Sequence, residues 1–380
     1  MQAIIDRSNV LAAHLYAGAA AAGTGQNLIL CPLNVTTVLS QLLAGSIGQG
    51  HASLRSFLGC TETDAIYFAG LDRVLKAIAT NQGVTHVGVA DSLWVDQACF
   101  APAGVPKALR TWIGADLHRF DATQVAATSQ QMNDWIAVAT RGHITGLGGP
   151  ILHPSPVIPL SAFVLEAQWS YAFHPKQTVP GPFTTPTGVV TVPMMHDPDD
   201  ESLALRVPGG ALAIRHLVDG LTFVVILPDA ANGLPAFERQ IRAGSLPTWL
   251  KQAQYHRCDW SVPVLDLAPA QPCDVLPFLQ DGGLAVGTRA DYPFLAPGTG
   301  AMASNQPALI TTILQRSSLS VHENGIIAAS ASRPVMFFGD LAVDNTIVAM
   351  HLDRPFAWFV MNDCLELILM EGRVLDPTTR

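Results

Sequence analysis

Apolar residues recur at helical spacing through the first third of the chain. Ile4, Ile5, Val10, Leu11 and Leu15 fall on one face, with Asp6, Arg7 and His14 interrupting them, and predict a helix over residues 3–22. Thr36–Ala44, Thr63–Thr80 (Ile66, Phe68, Leu71, Val74, Leu75, Ile78) and Thr128–Ala139 (Met132, Trp135, Ile136) predict three more. Val87–Val95 is valine-rich and reads as a strand. Beyond Pro150 the character changes. Val157–Val164, Leu221–Leu227, Ala308–Val321, Ile347–Leu352 and Phe356–Met370 are rich in β-branched and aromatic residues and bounded by Pro, Gly or Asp, which marks strands. Asp197–Glu201 and Tyr292–Asn305 read as surface loops. There is no internal repeat and no low-complexity segment. Helices first and strands afterwards indicate an α+β fold, not an alternating parallel one.

Composition sharpens this picture. Only 13% of the 380 residues are charged, against roughly 25% in an ordinary soluble domain. So little charge cannot cover several small units, which points to one large core and a single domain over residues 1–380. The 21 Lys+Arg against 30 Asp+Glu include no basic run. Nucleic acid and a polybasic membrane contact are therefore not expected as partners. No stretch approaches the ~18 unbroken apolar residues of a membrane span. Four lysines against seventeen arginines, with abundant Ala, Gly and Pro, suggest a GC-rich bacterial genome.

The six cysteines lie far apart with no CxxC pair, so they read as free thiols in a reducing compartment. Gly48-Gln49-Gly50-His51-Ala52-Ser53 follows a helix, the wrong context for a phosphate loop. No GxSxG or HExxH is present, and the twelve histidines are scattered. His196–Glu201 reads as a solvated turn, not a cation site. Asn34-Val35-Thr36 is a sequon at an apolar helix entrance, where burial competes with glycosylation. No nucleophile, base and orienter assemble, so no enzyme, cofactor or metal is expected.

Several segments in fixed order carry a resemblance. Asn27-Leu28-Ile29-Leu30-Cys31-Pro32-Leu33-Asn34 runs into a helix ending Leu43-Ala44-Gly45-Ser46. Met132-Asn133-Asp134-Trp135 is followed by Thr140-Arg141-Gly142-His143-Ile144. Ser161-Ala162-Phe163 precedes Trp169-Ser170-Tyr171-Ala172-Phe173, Pro182-Phe183 and Val192-Pro193-Met194-Met195. Val321-His322-Glu323-Asn324-Gly325 leads a small-residue run, and Asp353-Arg354-Pro355-Phe356 precedes Met370-Glu371-Gly372-Arg373-Val374. Across nearly the whole chain this resembles the serpins, inhibitors that bait a serine protease with an exposed C-terminal loop. The resemblance implies three β-sheets, about eight or nine helices and a reactive-centre loop over about residues 325–346. It also requires residues 3–22 as a helix although they imitate a signal peptide, and so implies an intracellular chain or a mature secreted one.

In the family, a protease attacks the loop, becomes covalently acylated, and is trapped as the loop inserts as a new strand. Strain stored in the native state drives that insertion. Here Glu323 and Gly325 match the hinge. Ala328, Ser330 and Ser332 suit inward positions of an inserted strand, and Ala329 and Ala331 outward ones. Ile326 and Ile327 depart from the usual small or acidic residues, and overpacking at an inward position typically costs about 1–3 kcal/mol. Pro334 would enter a central strand without an N–H. Trp169 flanks the top of the insertion path as expected. The polar cluster beneath the sheet maps to Cys31, Asn34, Ser161 and Gln315, a changed set that suggests different hydrogen bonding. The family places the scissile bond about fourteen residues past the hinge glycine, at Gly339-Asp340, or one earlier, at Phe338-Gly339, and the ring of Phe338 suits a hydrophobic specificity pocket. Arg333 lies too near the hinge for trypsin. The resemblance thus implies a monomeric inhibitor of chymotrypsin- or elastase-like proteases. A serpin fold that no longer traps, acting as substrate, chaperone or binding protein, remains the alternative.

Overall fold

A computed structural model describes residues 1–23, 25–82, 85–99, 107, 109–111, 113–146, 157–268, 273–285, 313–326 and 344–379. The first predicted helix is α1 (Gln2–Ala22). Ile4, Ile5, Leu11, Leu15 and Tyr16 line its buried stripe, at the spacing the sequence shows. α2 (Pro32–Gly45) starts with Pro at its first turn, where a missing N–H is harmless, and is buried on nearly every side. α3 (Gly48–Phe57), α4 (Asp64–Ile78), α5 (Val125–Ala139), α6 (Leu234–Arg242), α7 (Leu246–Gln252) and α8 (Leu276–Asp281) complete the α-helices among the described residues.

The strands form three sheets among the described residues. The largest joins β1 (Leu28–Leu30), β18 (Leu367–Val374), β17 (Phe356–Asn362), β9 (Leu221–Pro228), β8 (Gly210–His216), β7 (Gly188–Val207), β10 (Gln254–Pro263) and β16 (Asp344–His351) in that order, with β6 (Val179–Thr185) also on β7. The second runs β11 (Leu265–Leu267), β14 (Leu319–His322), β15 (Gly325–Ile326), β5 (Val157–Gln168), β3 (Thr85–Asp96) and β2 (Thr80–Gln82), with β4 (Asp116–Phe120) beside β3. β12 (Cys273–Asp274) and β13 (Leu314–Gln315) form the third. The α+β expectation holds. One core cluster runs from Ile4 to Leu375, and a smaller one lies between α5 and the second sheet, around Trp94, Met132, Ile136 and Leu160.

Four boundaries differ from the sequence reading. Of Ala308–Val321, residues 308–312 lie outside the described ones, and the rest is not one strand but β13 and β14, which belong to different sheets. Asp197–Glu201 is no loop but lies within β7, paired to β10, because the buried Arg215 neutralises two of its acids. Phe356–Met370 is two strands, folded back at a turn where Glu366 takes a positive φ. Of the stretch 325–346, Gly325 and Ile326 are β15 and residues 344–346 begin β16; residues 327–343 lie outside the described ones. Tyr292–Asn305 also lies outside them.

No disulfide joins any of the six cysteines, and Asn34 of the sequon is buried. Burial pushes the thiols of Cys31 and Cys258 up to about 12 and those of Cys60 and Cys273 up to about 11. Cys364 is exposed. A disulfide reagent on the native protein should therefore modify Cys364 in a fast phase, the half-buried Cys60 and Cys273 more slowly, and Cys31, Cys99 and Cys258 only on unfolding. A fast equivalent mapped by mass spectrometry to Cys31 or Cys258 would contradict this packing.

Candidate functional site

Glu323 and Gly325, read from the sequence as a hinge, lie between two strands of the second sheet. After β14 the chain turns at Glu323-Asn324 and comes back as β15, between β14 and β5. Ile326 pairs with Val321 on one side and Ala167 on the other; Gly325 pairs with His322 and Gln168. Only glycine fits at 325. Its φ is +150°, and an added Cβ would collide with the carbonyl oxygen of Ala167 and lie 2.7 Å from Gln168 Cα. Ile326 is fully buried and belongs to the main core.

The turn is held from β5's continuation. Trp169 donates its indole N–H to the carbonyl of His322 (2.9 Å) and its backbone N–H to that of Asn324 (3.0 Å). Phe173 N donates to Glu323 O (2.9 Å), and Thr178 Oγ1 donates to Glu323 Oε1 (2.7 Å). Trp169 and Glu323 therefore lie together at the turn that leads into β15. Sequence reasoning missed what supports them. The buried guanidinium of Arg215 stacks 4.1 Å from the Phe173 ring centre and 5.7 Å from that of Trp169. It donates to Asp197 Oδ2 (2.7 Å) and to Tyr171 O (2.9 Å), and lies 3.1 Å from Asp200. The acid-rich run 196–201 was the available signal, but nothing in it names an arginine fifteen residues later as the partner.

Beneath the sheet, Cys31 and Gln315 exchange two hydrogen bonds: Cys31 N to Gln315 Oε1 (3.1 Å) and Gln315 Nε2 to Cys31 O (2.7 Å). Cys31 Sγ adds a contact to Ser317 Oγ at 3.4 Å. Ser161 pairs instead with Thr37 Oγ1 (3.1 Å). Asn34 joins neither pair; its buried Oδ1 has no partner. The four residues singled out from the sequence therefore make two separate contacts, not one closed set.

A carboxylate completes the second contact. Asp91 on β3 is the cross-strand partner of Ser161 and accepts from Gln41 Nε2 of α2 (3.0 Å), which also donates to Leu160 O (3.2 Å). Burial raises its pKa from 3.8 to about 6, against the lowering effect of hydrogen bonds from Thr37, Ser161 and Gln41. The only sequence signal was one acid inside a valine-rich strand.

Ile327, Ala328, Ala329, Ser330, Ala331, Ser332, Phe338, Gly339 and Asp340 lie outside the described residues. Among the described residues no group of three or more His, Cys, Asp or Glu could hold a metal ion, and no helix is long and apolar enough to cross a membrane.

A family model described as serpin (serine protease inhibitor) matches residues 6–377. An uncharacterized serpin-like protein of Thermococcus kodakarensis is 22% identical over 358 residues, which cover 94% of this chain and 82% of that one. Serpin48, described as a highly specific serpin of the insect Tenebrio molitor, has the same fold with a TM-score of 0.84 at 20% identity, over 99% of this chain and 98% of its own. Human thyroxine-binding globulin, in complex with thyroxine, gives 0.85 at 18% identity over 100% of both chains. The order of segments, the sheet topology, the position of Gly325 beside the turn held by Trp169 and a family match over nearly the full length agree: this chain belongs to the serpin family.

Proposed function

We propose that this chain is a single-domain, monomeric, loop-inserting inhibitor of chymotrypsin- or elastase-like serine proteases, with Phe338-Gly339 as the scissile bond and Gly339-Asp340 next in line. The supporting observation is the place of Gly325 and Ile326 between β14 and β5, where an inserting loop has to enter. Each further residue would extend two hydrogen-bonded ladders at once. Ala328, Ser330 and Ser332 share the parity of Ile326, whose side chain faces the core, so small residues would follow it inward. The protease serine attacks the Phe338 carbonyl, an acyl ester forms, and the 338–339 peptide bond breaks with the amine leaving on Gly339. Insertion then carries the ester-bound protease away before water reaches the ester.

The second reading, a serpin that is cleaved without trapping, draws on Ile327 and on Pro334. Pro334 shares the inward parity and would offer no N–H to a central strand. A small-molecule binding protein, as the name of thyroxine-binding globulin states for that relative, belongs to the same class.

Incubation with chymotrypsin, an elastase and trypsin, followed by denaturing gels and mass spectrometry, separates the two. An SDS-resistant band at the summed mass, with a released peptide starting at Gly339, is the expected result with chymotrypsin. Phe338→Ala should slow that reaction by about 100-fold, in line with the loss of a large anchor from an apolar pocket, about 3 kcal/mol. An unchanged rate would remove Phe338 from this role; cleavage with no stable band would favour the non-trapping reading.

A further inference from the structure

Between the C-terminal end of α1 and one face of α6 lies a cleft of about 620 Å³. Ala17, Ala20, Leu234, Pro355 and Leu375 make much of its wall apolar. Its charged side chains are Glu238, Arg239, Arg242 and Arg373. Two of these cancel: the buried Arg373 donates to Glu238 Oε1 at 2.8 Å and spends its other bonds on the carbonyls of Gly23 and Gln26. Arg239 and Arg242 are left. They stand three residues apart on one face of α6, both exposed, and neither has a hydrogen bond or ion pair among the described residues. Asp229, the acid that precedes α6, is already taken by Arg206 at 3.0 Å.

On a chain with a formal charge of -9, a cleft whose unpaired charges are both positive is a local exception. The field there favours an anion. Guanidinium groups offer parallel N–H donors that match a carboxylate, and two of them on one helix face can hold it together. At an exposed site such a contact contributes little by itself. Affinity must then come from an apolar body laid against the wall, with the arginines selecting its charge. The volume suits a drug-sized molecule. Cations near a helix C-terminus also offset its dipole, but that effect needs no cleft.

We propose that this cleft binds a small hydrophobic carboxylate, its charged group against Arg239 and Arg242 and its apolar body against Ala17, Leu234 and Leu375. No residue of the proposed reactive loop, of the turn at Glu323 or of the polar contacts beneath the sheet lines it. The site therefore stands apart from the proposed protease inhibition, and its test does not depend on it.

Three probes with one fluorophore test this on the full chain at pH 7.5 and low salt: dansylglycine as the anion, its neutral methyl ester, and dansylcadaverine as the cation. The expected result is saturable binding of dansylglycine, about tenfold tighter than the ester, with the cation weakest and the preference shrinking as salt is added. Replacing both arginines, Arg239→Gln with Arg242→Gln, should bring dansylglycine to the affinity of the ester. Ala17→Trp, which narrows the cleft, should weaken both. Equal affinities in the wild type, a preference that survives the double replacement, or no saturable binding would each overturn the proposal. So would a double variant that melts earlier yet binds as before, since the arginines would then serve only the end of α6. If the double variant does not fold, Ala17→Trp decides alone, because dansylglycine binding that survives it lies elsewhere.

Discussion

With Gly325 replaced by valine, the loop should still be cut by the protease but should no longer enter the sheet. The reason is local and steric. At φ +150° a β-branched residue is strained, by about 1–3 kcal/mol for such backbone outliers. Its Cβ would also run into Ala167 O, and backbone cannot rotate away as a side chain can. Relief requires β15 to leave the gap between β14 and β5, which removes the first pairs of the inserted strand. Each 1.36 kcal/mol added to the barrier slows insertion tenfold, so a delay of one to two orders of magnitude is expected. A trap that depends on insertion outrunning deacylation then becomes a substrate. The measurement is the partition between SDS-resistant complex and cleaved chain, together with the melting temperature of the cleaved protein. Complex formation equal to wild type, or an undiminished rise in melting temperature on cleavage, would show that residue 325 does not sit in the path of insertion.

Asp91→Asn should stabilise the protein at neutral pH and progressively less as the pH falls toward 4. The folded-state pKa of Asp91 is raised, from 3.8 to about 6. The folded protein therefore keeps a proton that the unfolded chain has already released, and stability is complete below about pH 4 and declines as pH rises through about 6. Two pKa units amount to on the order of 3 kcal/mol at pH 7.5, or roughly 4 °C in melting temperature for a chain of this length. Asparagine is nearly isosteric, can accept from Gln41, and has no proton to lose. Melting curves of both proteins at pH 4.5 and 7.5 provide the check. A gain of the same size at both values, or a loss at pH 7.5, would mean that Asp91 is held by its hydrogen bonds and not penalised by burial.

Much of this architecture was legible before any tertiary contact was known. The helical spacing of Ile4, Leu11 and Leu15 and the β-branched runs at 157–164 and 221–227 answer to local periods that recur within a few residues. Glu323, Gly325 and Trp169 were also legible, because their types and spacing follow a family pattern. Other residues were hidden by their separation along the chain. Asp91, Thr37, Gln41 and Ser161 come from a helix and two strands, and none has a neighbour in sequence that announces the others. That Thr37, and not Asn34 of the same helix, meets Ser161 was hidden for the same reason.

Glu371 and Arg373 show the limit most directly. In sequence they are alternate polar residues on a strand, a pattern that normally marks a solvent face. Here α1 and its neighbours cover that face. Arg373 has long reach and finds a carboxylate and two carbonyls, while Glu371 is shorter and finds none. The sequence by itself determined the order and kind of elements and the family, because those rest on short-range periodicity and on residues whose identity is restricted by backbone geometry. Only the tertiary structure decided which polar groups are buried, which are paired and which are left without a partner, because burial depends on what distant segments lay over each face.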